Sequence, residues 1–164
     1  MPKNSTPQQT EASPNALEIR AAGRGDVAAV IALDRKITGM DKPNYWSDLY
    51  DRYGDRKGRY FLVAEAAGDA GDGRQVVGFI IGEIRAWEFG SPPSGWVFAI
   101  GVDPETRLKR VGTKLFHSIC DRLRAAGVDT VRTMLARDDE LNMTFFRSQG
   151  MMGGPFIQLE MELG

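Results

Sequence analysis

The apolar pattern of the chain changes period several times, and each change marks an element. In "ALEIRAA", Leu17 and Ile19 alternate with Glu18 and Arg20, the period of a half-buried strand. In "GRGDVAAVIALDRKITG" the apolar residues Val27, Val30, Ile31 and Ile37 fall near helical spacing. Asp26 is placed to cap this helix and Gly39 to stop it. Trp46, Leu49, Tyr50 and Tyr53 follow at i, i+3, i+4 and i+7, which predicts a second helix with an aromatic face. Two β-rich runs, "RYFLVAEA" and "QVVGFIIGEIRAW", flank "AGDAGDGR", so Gly68, Gly71 and Gly73 read as hairpin-turn residues rather than a nucleotide loop.

After the punctuation of "SPPSG", the run "WVFAIGVDP" predicts another buried strand. Val111, Leu115, Ile119 and Leu123 then recur every fourth residue, giving a helix over about 106–126 with one core face and an end at Gly127. "DTVRTMLA" reads as a strand and "DDELNMTFFRSQG" as a short helix ending at Gly150. In "FIQLEMEL" the alternation would turn Ile157, Leu159, Met161 and Leu163 inward on a last strand. The predicted order β α α β β β α β α β is an α/β chain without an internal repeat.

Composition narrows this picture. A chain of 164 residues with 42% apolar content can bury the core of one domain, expected over residues 16–164. The preceding "MPKNSTPQQTEASPN" is too polar to offset ordering entropy, so residues 1–15 are expected to be a disordered tail. Lysine and arginine number 21 against 22 acidic residues, which leaves no overall basic field for nucleic acid or an anionic membrane. One cysteine, Cys120, and one histidine, His117, form neither a disulfide framework nor a zinc cluster. No metal is expected, and a reducing, cytoplasmic setting fits. No apolar run reaches the roughly 20 residues of a membrane span, and the first residues lack the apolar core of a signal peptide.

The candidate chemistry lies in "RLKRVGT", residues 107–113, between a buried strand and a helix start. Free N–H groups and the positive end of the dipole make such a start an anion site, while a basic solvated helix face would give the same residue types. Context favours the anion site. "IGVDPETRLKRVGTKLF" resembles the pattern of the GNAT (GCN5-related N-acetyltransferase) family: a strand ending in Val-x-Pro, then Arg or Gln, two residues, Gly, one residue, and Gly or Ala opening a helix. Similarity continues through "DDELNMTFFRSQGM", the family's last helix, and covers about residues 17–163.

The resemblance implies a mixed, mostly antiparallel sheet flanked by about four helices, with acetyl-coenzyme A as acyl donor. It implies that backbone amides around Arg107, Lys109, Arg110, Val111, Gly112 and Thr113 hold the pyrophosphate. Gly112 would allow close approach, and the basic side chains would add charge. Arg110 stands where the pattern has its first glycine; a left-handed backbone there would strain it, whereas a helical one would cost little and add charge. Backbone groups near Ile100 and Val102 would pair with the pantetheine arm. On the last helix, Phe146 stands where the family often has a tyrosine acid, and serves as core or as a cofactor wall. Asn142 could touch the cofactor, and Asp138 or Asp139 could cap the helix.

Acetyl transfer also needs a proton acceptor for the amine. Trp96 stands where some members carry a glutamate. Glu83, a carboxylate at the end of an apolar strand, is the candidate base, with Glu88 second. Trp46, Tyr50, Tyr53 and Trp87 are candidates for an acceptor pocket or for packing. The expected activity is acetyl transfer from acetyl-coenzyme A to an amine by direct attack, by a monomer or homodimer. The acceptor is open between a small molecule, a protein lysine and a protein N-terminus. The alternatives are an acyl-coenzyme A binding module without turnover and an interaction protein without a cofactor.

Overall fold

The computed structural model describes residues 17–67, 73–106 and 109–164. The expected tail, Gly68, Gly71 and Arg107 therefore lie outside the described residues. Two compact units divide the chain, one up to Thr133 and the other from Met134.

In the first unit the elements are β1 (Glu18–Ala21), α1 (Val27–Thr38), α2 (Pro43–Tyr53), β2 (Arg59–Ala67), β3 (Arg74–Arg85), β4 (Ser94–Val102), α3 (Val111–Ala125) and β5 (Val131–Arg132). The five strands form one sheet in sequential order. β1 through β4 pair antiparallel, and β5 joins β4 in parallel, so the sheet is mixed and mostly antiparallel as expected. β3 begins directly after Gly73, whose φ of 83° is the left-handed turn geometry that glycine allows.

Alternation along β2 and β3 sends odd-numbered residues to one face and even-numbered ones to the other. Phe61, Val63, Phe79 and Ile81 meet Val30 and Leu33 of α1 and Trp46 and Leu49 of α2 in one core cluster. On the opposite face, Val111, Leu115, Ile119 and Leu123 of α3 are all buried, so the four-residue period marked the helix's inner face correctly. Three glycines let α3 lie close. A Cβ at Gly78 would meet Leu115 Cδ1 at 3.0 Å, one at Gly82 Ile119 Cδ1 at 2.9 Å, and one at Gly95 Leu123 Cδ1 at 2.4 Å.

Several expectations need correction. α3 starts at Val111, not near residue 106, because "DPET" folds into a turn: Asp103 accepts from the Glu105 amide at 2.9 Å, and Thr106 N–H donates to Asp103 C=O at 3.1 Å. Asp26 does not cap α1. Its carboxylate accepts from Gly23 N–H at 2.6 Å and pairs with Arg20 at 2.7 Å, closing the single 3-10 turn before the helix. Gly39, at φ 72°, does stop α1. The strand expected from "DTVRTMLA" contracts to Val131–Arg132.

The second unit holds α4 (Glu140–Ser148), capped by Asp139, which accepts from Asn142 N–H at 3.1 Å. Residues 151–164 form neither helix nor strand. Ile157, Leu159, Met161 and Leu163 are exposed, against the expected inward-facing strand. Alternation shows which side chains would share a face, but a strand also requires a partner for its backbone. Among the described residues no helix is long and apolar enough to cross a membrane.

Candidate functional site

β4 carries the site because its two edges are treated differently. On one side it pairs with β3 from Ser94 to Val102; on the other it meets β5 only at Gly95 and Trp96. From Val97 onward that second edge has no strand partner among the described residues. Asp103 N–H donates to Val77 C=O at 2.9 Å, which fixes the phase of the β3–β4 ladder. Strand alternation then turns the N–H and C=O groups of Ile100 and Val102 away from β3, onto the open edge. The register skips Phe98, since Ile81 pairs with Ala99 and Gly82 with Val97. This bulge bends β4 where its edge becomes free.

The helix start lies at the other end of the same edge. Val111, the first residue of α3, sits over Gly78, the partner of Val102: a Cβ on Gly78 would lie 3.1 Å from Val111 Cγ1. Arg110, just before it, has φ 65° and ψ 24°. The pattern's first glycine is thus replaced where the backbone is left-handed, so of the two backbones open to this position the strained one is found. A left-handed residue followed by a right-handed one turns successive N–H groups into one concavity, a common anion-binding form. Val111 and Gly112 amides fall in the first helical turn, where a helix supplies no acceptor. The side chains of Lys109 and Arg110 are exposed, and among the described residues no carboxylate pairs with either. Lys36 of α1 anchors the preceding turn through Asp103 at 2.7 Å and Glu105 at 2.6 Å. An open strand edge leading to an unpaired basic helix start therefore fits an amide-bearing arm ending in a pyrophosphate.

Beside the bulge, on the α1/α2 face, lies a polar cluster. Tyr53 O–H donates to Glu83 Oε2 at 3.0 Å, and Arg85 Nε donates to Glu83 Oε1 at 2.8 Å. Burial, reinforced by the Glu83 hydrogen bond, pushes the Tyr53 phenol up and keeps it a donor. Tyr53 also packs edge-on against Phe98 at 5.1 Å between centroids. Arg59 stacks over Tyr53 at 5.3 Å, and its Nη1 donates to Arg52 C=O at 2.9 Å. Arg85 stacks over Trp96 at 4.8 Å. Glu83, the expected base, is therefore tied to two donors rather than standing alone. The two arginines were missed in the sequence; the only signal was that Glu83 and Arg85, two apart on a strand, must share a face.

Other predicted residues separate clearly. Trp46 belongs to the core and not to a pocket: it is buried, and its Nε1 donates to Asp34 Oδ2 at 2.8 Å. Tyr50 packs against that same core. Trp87 is exposed, with φ 64°. In the second unit, Phe146 is buried and stacks edge-on with Phe145, while Asn142 Nδ2 donates to Asp139 Oδ2 at 2.8 Å, completing the cap. His117 is exposed, and burial pushes the Cys120 thiol up, the wrong direction for a nucleophile. Among the described residues no three His, Cys, Asp or Glu side chains gather to hold a metal ion.

A mostly antiparallel sheet with one strand edge left without a strand partner, next to a basic helix start, is the architecture of the candidate site. The chain belongs to the Acetyltransferase (GNAT) family, whose sequence model matches residues 27–151. It is 33% identical over 130 residues to the L-2,4-diaminobutyric acid acetyltransferase of Nocardia farcinica, covering 78% of this chain and 61% of that one. It is also 33% identical over 91 residues to the mycothiol acetyltransferase of Sanguibacter keddieii, covering 55% and 27% of the two chains. The chain thus spans less than two thirds of either relative. Among solved structures it resembles an aminoglycoside N-acetyltransferase, AAC(6')-Iy, in complex with CoA, at a TM-score of 0.75, with 13% identity over 94% of this chain and 99% of that one. A second, the aminoglycoside 6'-N-acetyltransferase of Acinetobacter baumannii, gives 0.73, with 16% identity over 91% and 100%. Both structural likenesses concern the fold.

Proposed function

We propose that the protein transfers an acetyl group from acetyl-coenzyme A to the amine of a small molecule. The observation that carries this reading is the open edge of β4 running into the left-handed Arg110 and the start of α3. Arg107, Lys109, Arg110, Val111, Gly112 and Thr113 would hold the pyrophosphate, and Ile100 and Val102 the amides of the pantetheine arm. Because Val102 is at the helix end of this edge, the reacting end of the arm falls toward Val97 and Phe98. Acetyl-coenzyme A supplies an activated thioester there, and the chain's task is to orient it and admit the amine.

Glu83 is the carboxylate assigned to proton removal. Each of its oxygens accepts one donor and keeps a second lone pair, through which the carboxylate would take the attacking amine's proton by way of a bridging water. In the family resemblance Phe146 takes the place of a tyrosine acid and has no proton to give, which favours one second reading: binding of an acyl-coenzyme A without turnover. The relatives named as diaminobutyric acid and mycothiol acetyltransferases support a small-molecule acceptor over a protein one. Calorimetric titration with acetyl-coenzyme A, followed by thiol release over a panel of small amines, tests the assignment. Binding with amine-dependent release supports transfer; binding without release over the whole panel supports the second reading; no binding rejects both.

A further inference from the structure

We propose that Arg85 recognises a carboxylate on the acceptor, so that the protein selects amines carrying an anionic group a few bonds from the reacting nitrogen. This rests on the small-amine reading above and specifies its substrate class. Arg85 is held on two sides. Trp96 supports the guanidinium face at 4.8 Å, and Glu83 fixes Nε at 2.8 Å. Among the described residues neither Nη1 nor Nη2 has a protein acceptor, and the side chain is 38% exposed. A stacked guanidinium with Nε satisfied and both terminal nitrogens free is a preorganised fork for a planar oxyanion.

The local charge points the same way. Arg59 stands on the same sheet face, at 4.0 Å from Glu83 Oε2, so two guanidiniums share one carboxylate. A polycationic acceptor would meet net repulsion here, whereas an amino acid would supply the missing anion. The spacing also fits. Trp96, which supports the fork, is two residues from the Phe98 bulge, roughly 7 Å along a strand. An extended amino acid with an amine on its side chain spans about that distance between amine and carboxylate oxygen.

The test compares kcat/KM for 2,4-diaminobutyrate, its methyl ester and 1,3-diaminopropane, in the natural protein, Arg85→Gln and Arg85→Lys. The acid is expected to exceed both neutralised forms by about 10- to 100-fold, the range for hydrogen bonds to a charged partner. In Arg85→Gln this ratio should fall toward one, mainly through KM, and Arg85→Lys should retain part of it. A ratio near one in the natural protein, or an undiminished ratio in Arg85→Gln, overturns the proposal. Calorimetry with 2,4-diaminobutyrate in the presence of coenzyme A separates the two layers. Arg85-dependent binding without acetylation of any amine keeps the fork and rejects transfer; acetylation without preference for the acid keeps transfer and rejects the fork.

Discussion

Replacing Arg110 by glycine separates the two things this residue does. Its φ of 65° and ψ of 24° place a Cβ-bearing residue in the left-handed well, at a cost of about 1–2 kcal/mol. Glycine relieves that strain but adds about 0.4–1 kcal/mol of unfolded-chain entropy, so the net gain is expected at about 0–1.6 kcal/mol. For a chain of this size that raises Tm by roughly 0–6 °C. The phosphate contact proposed for the guanidinium is lost at the same time. At an exposed position, discounted for screening, this should weaken acetyl-coenzyme A binding by roughly 3- to 10-fold. Arg110→Ala is the partner variant, since it keeps the strain and loses the charge. Melting by circular dichroism and calorimetric titration should place Gly above Ala in stability by about 1 kcal/mol, with similar losses of affinity. A marked drop in Tm for Arg110→Gly would refute the strain argument, and tighter cofactor binding in both variants would show that the side chain obstructs the cradle.

Two further substitutions probe the scaffold. In Gly82→Ala the new Cβ would lie 2.6 Å from the Trp96 carbonyl oxygen, a backbone atom that cannot move cheaply. A loss of about 2–3 kcal/mol is expected in urea unfolding, and a loss under about 0.5 kcal/mol would contradict the close approach of β4 and α3 to Gly82. Arg20 holds the Asp26 carboxyl below its usual range, and the Glu65 carboxyl likewise, through hydrogen bonds. Carboxyls depressed in the folded state stabilise it above their unfolded values near pH 4, and that contribution fades as pH falls through their folded values. Arg20→Gln should therefore cost about 1–2 kcal/mol at pH 7, after a discount for screening, and progressively less below about pH 4. A difference that is constant with pH would rule out the linkage.

Local periodicity made much of the fold legible, and its failures have a common cause. The steps of four in Val111, Leu115, Ile119 and Leu123 identified a buried helix face because a helix carries its own backbone partners. The alternation in "FIQLEMEL" identified a face but not a strand, since the partner of a strand lies elsewhere in the sequence. Trp46 shows the same limit: its helical spacing was clear, while its place in the core depended on Asp34, Phe61 and Phe79. For the site, "VDP" and Gly112 pointed to the proposed cradle, but nothing in the residue type of Arg110 gives a φ of 65°. The Glu83, Arg85, Arg59 and Tyr53 cluster was hidden because cross-strand register and the packing of α2 create it.

The cradle itself is tested most directly at Gly112, in the first turn of α3. A glutamate there favours the helix, because its charge complements the positive end of the dipole, so the fold should survive. The same charge and bulk would occupy the position assigned to the pyrophosphate. Calorimetric titration of Gly112→Glu with acetyl-coenzyme A, beside the natural protein, is expected to show binding weakened by at least about 100-fold with Tm nearly unchanged. Equal affinity in the two proteins would show that the start of α3 does not hold the cofactor.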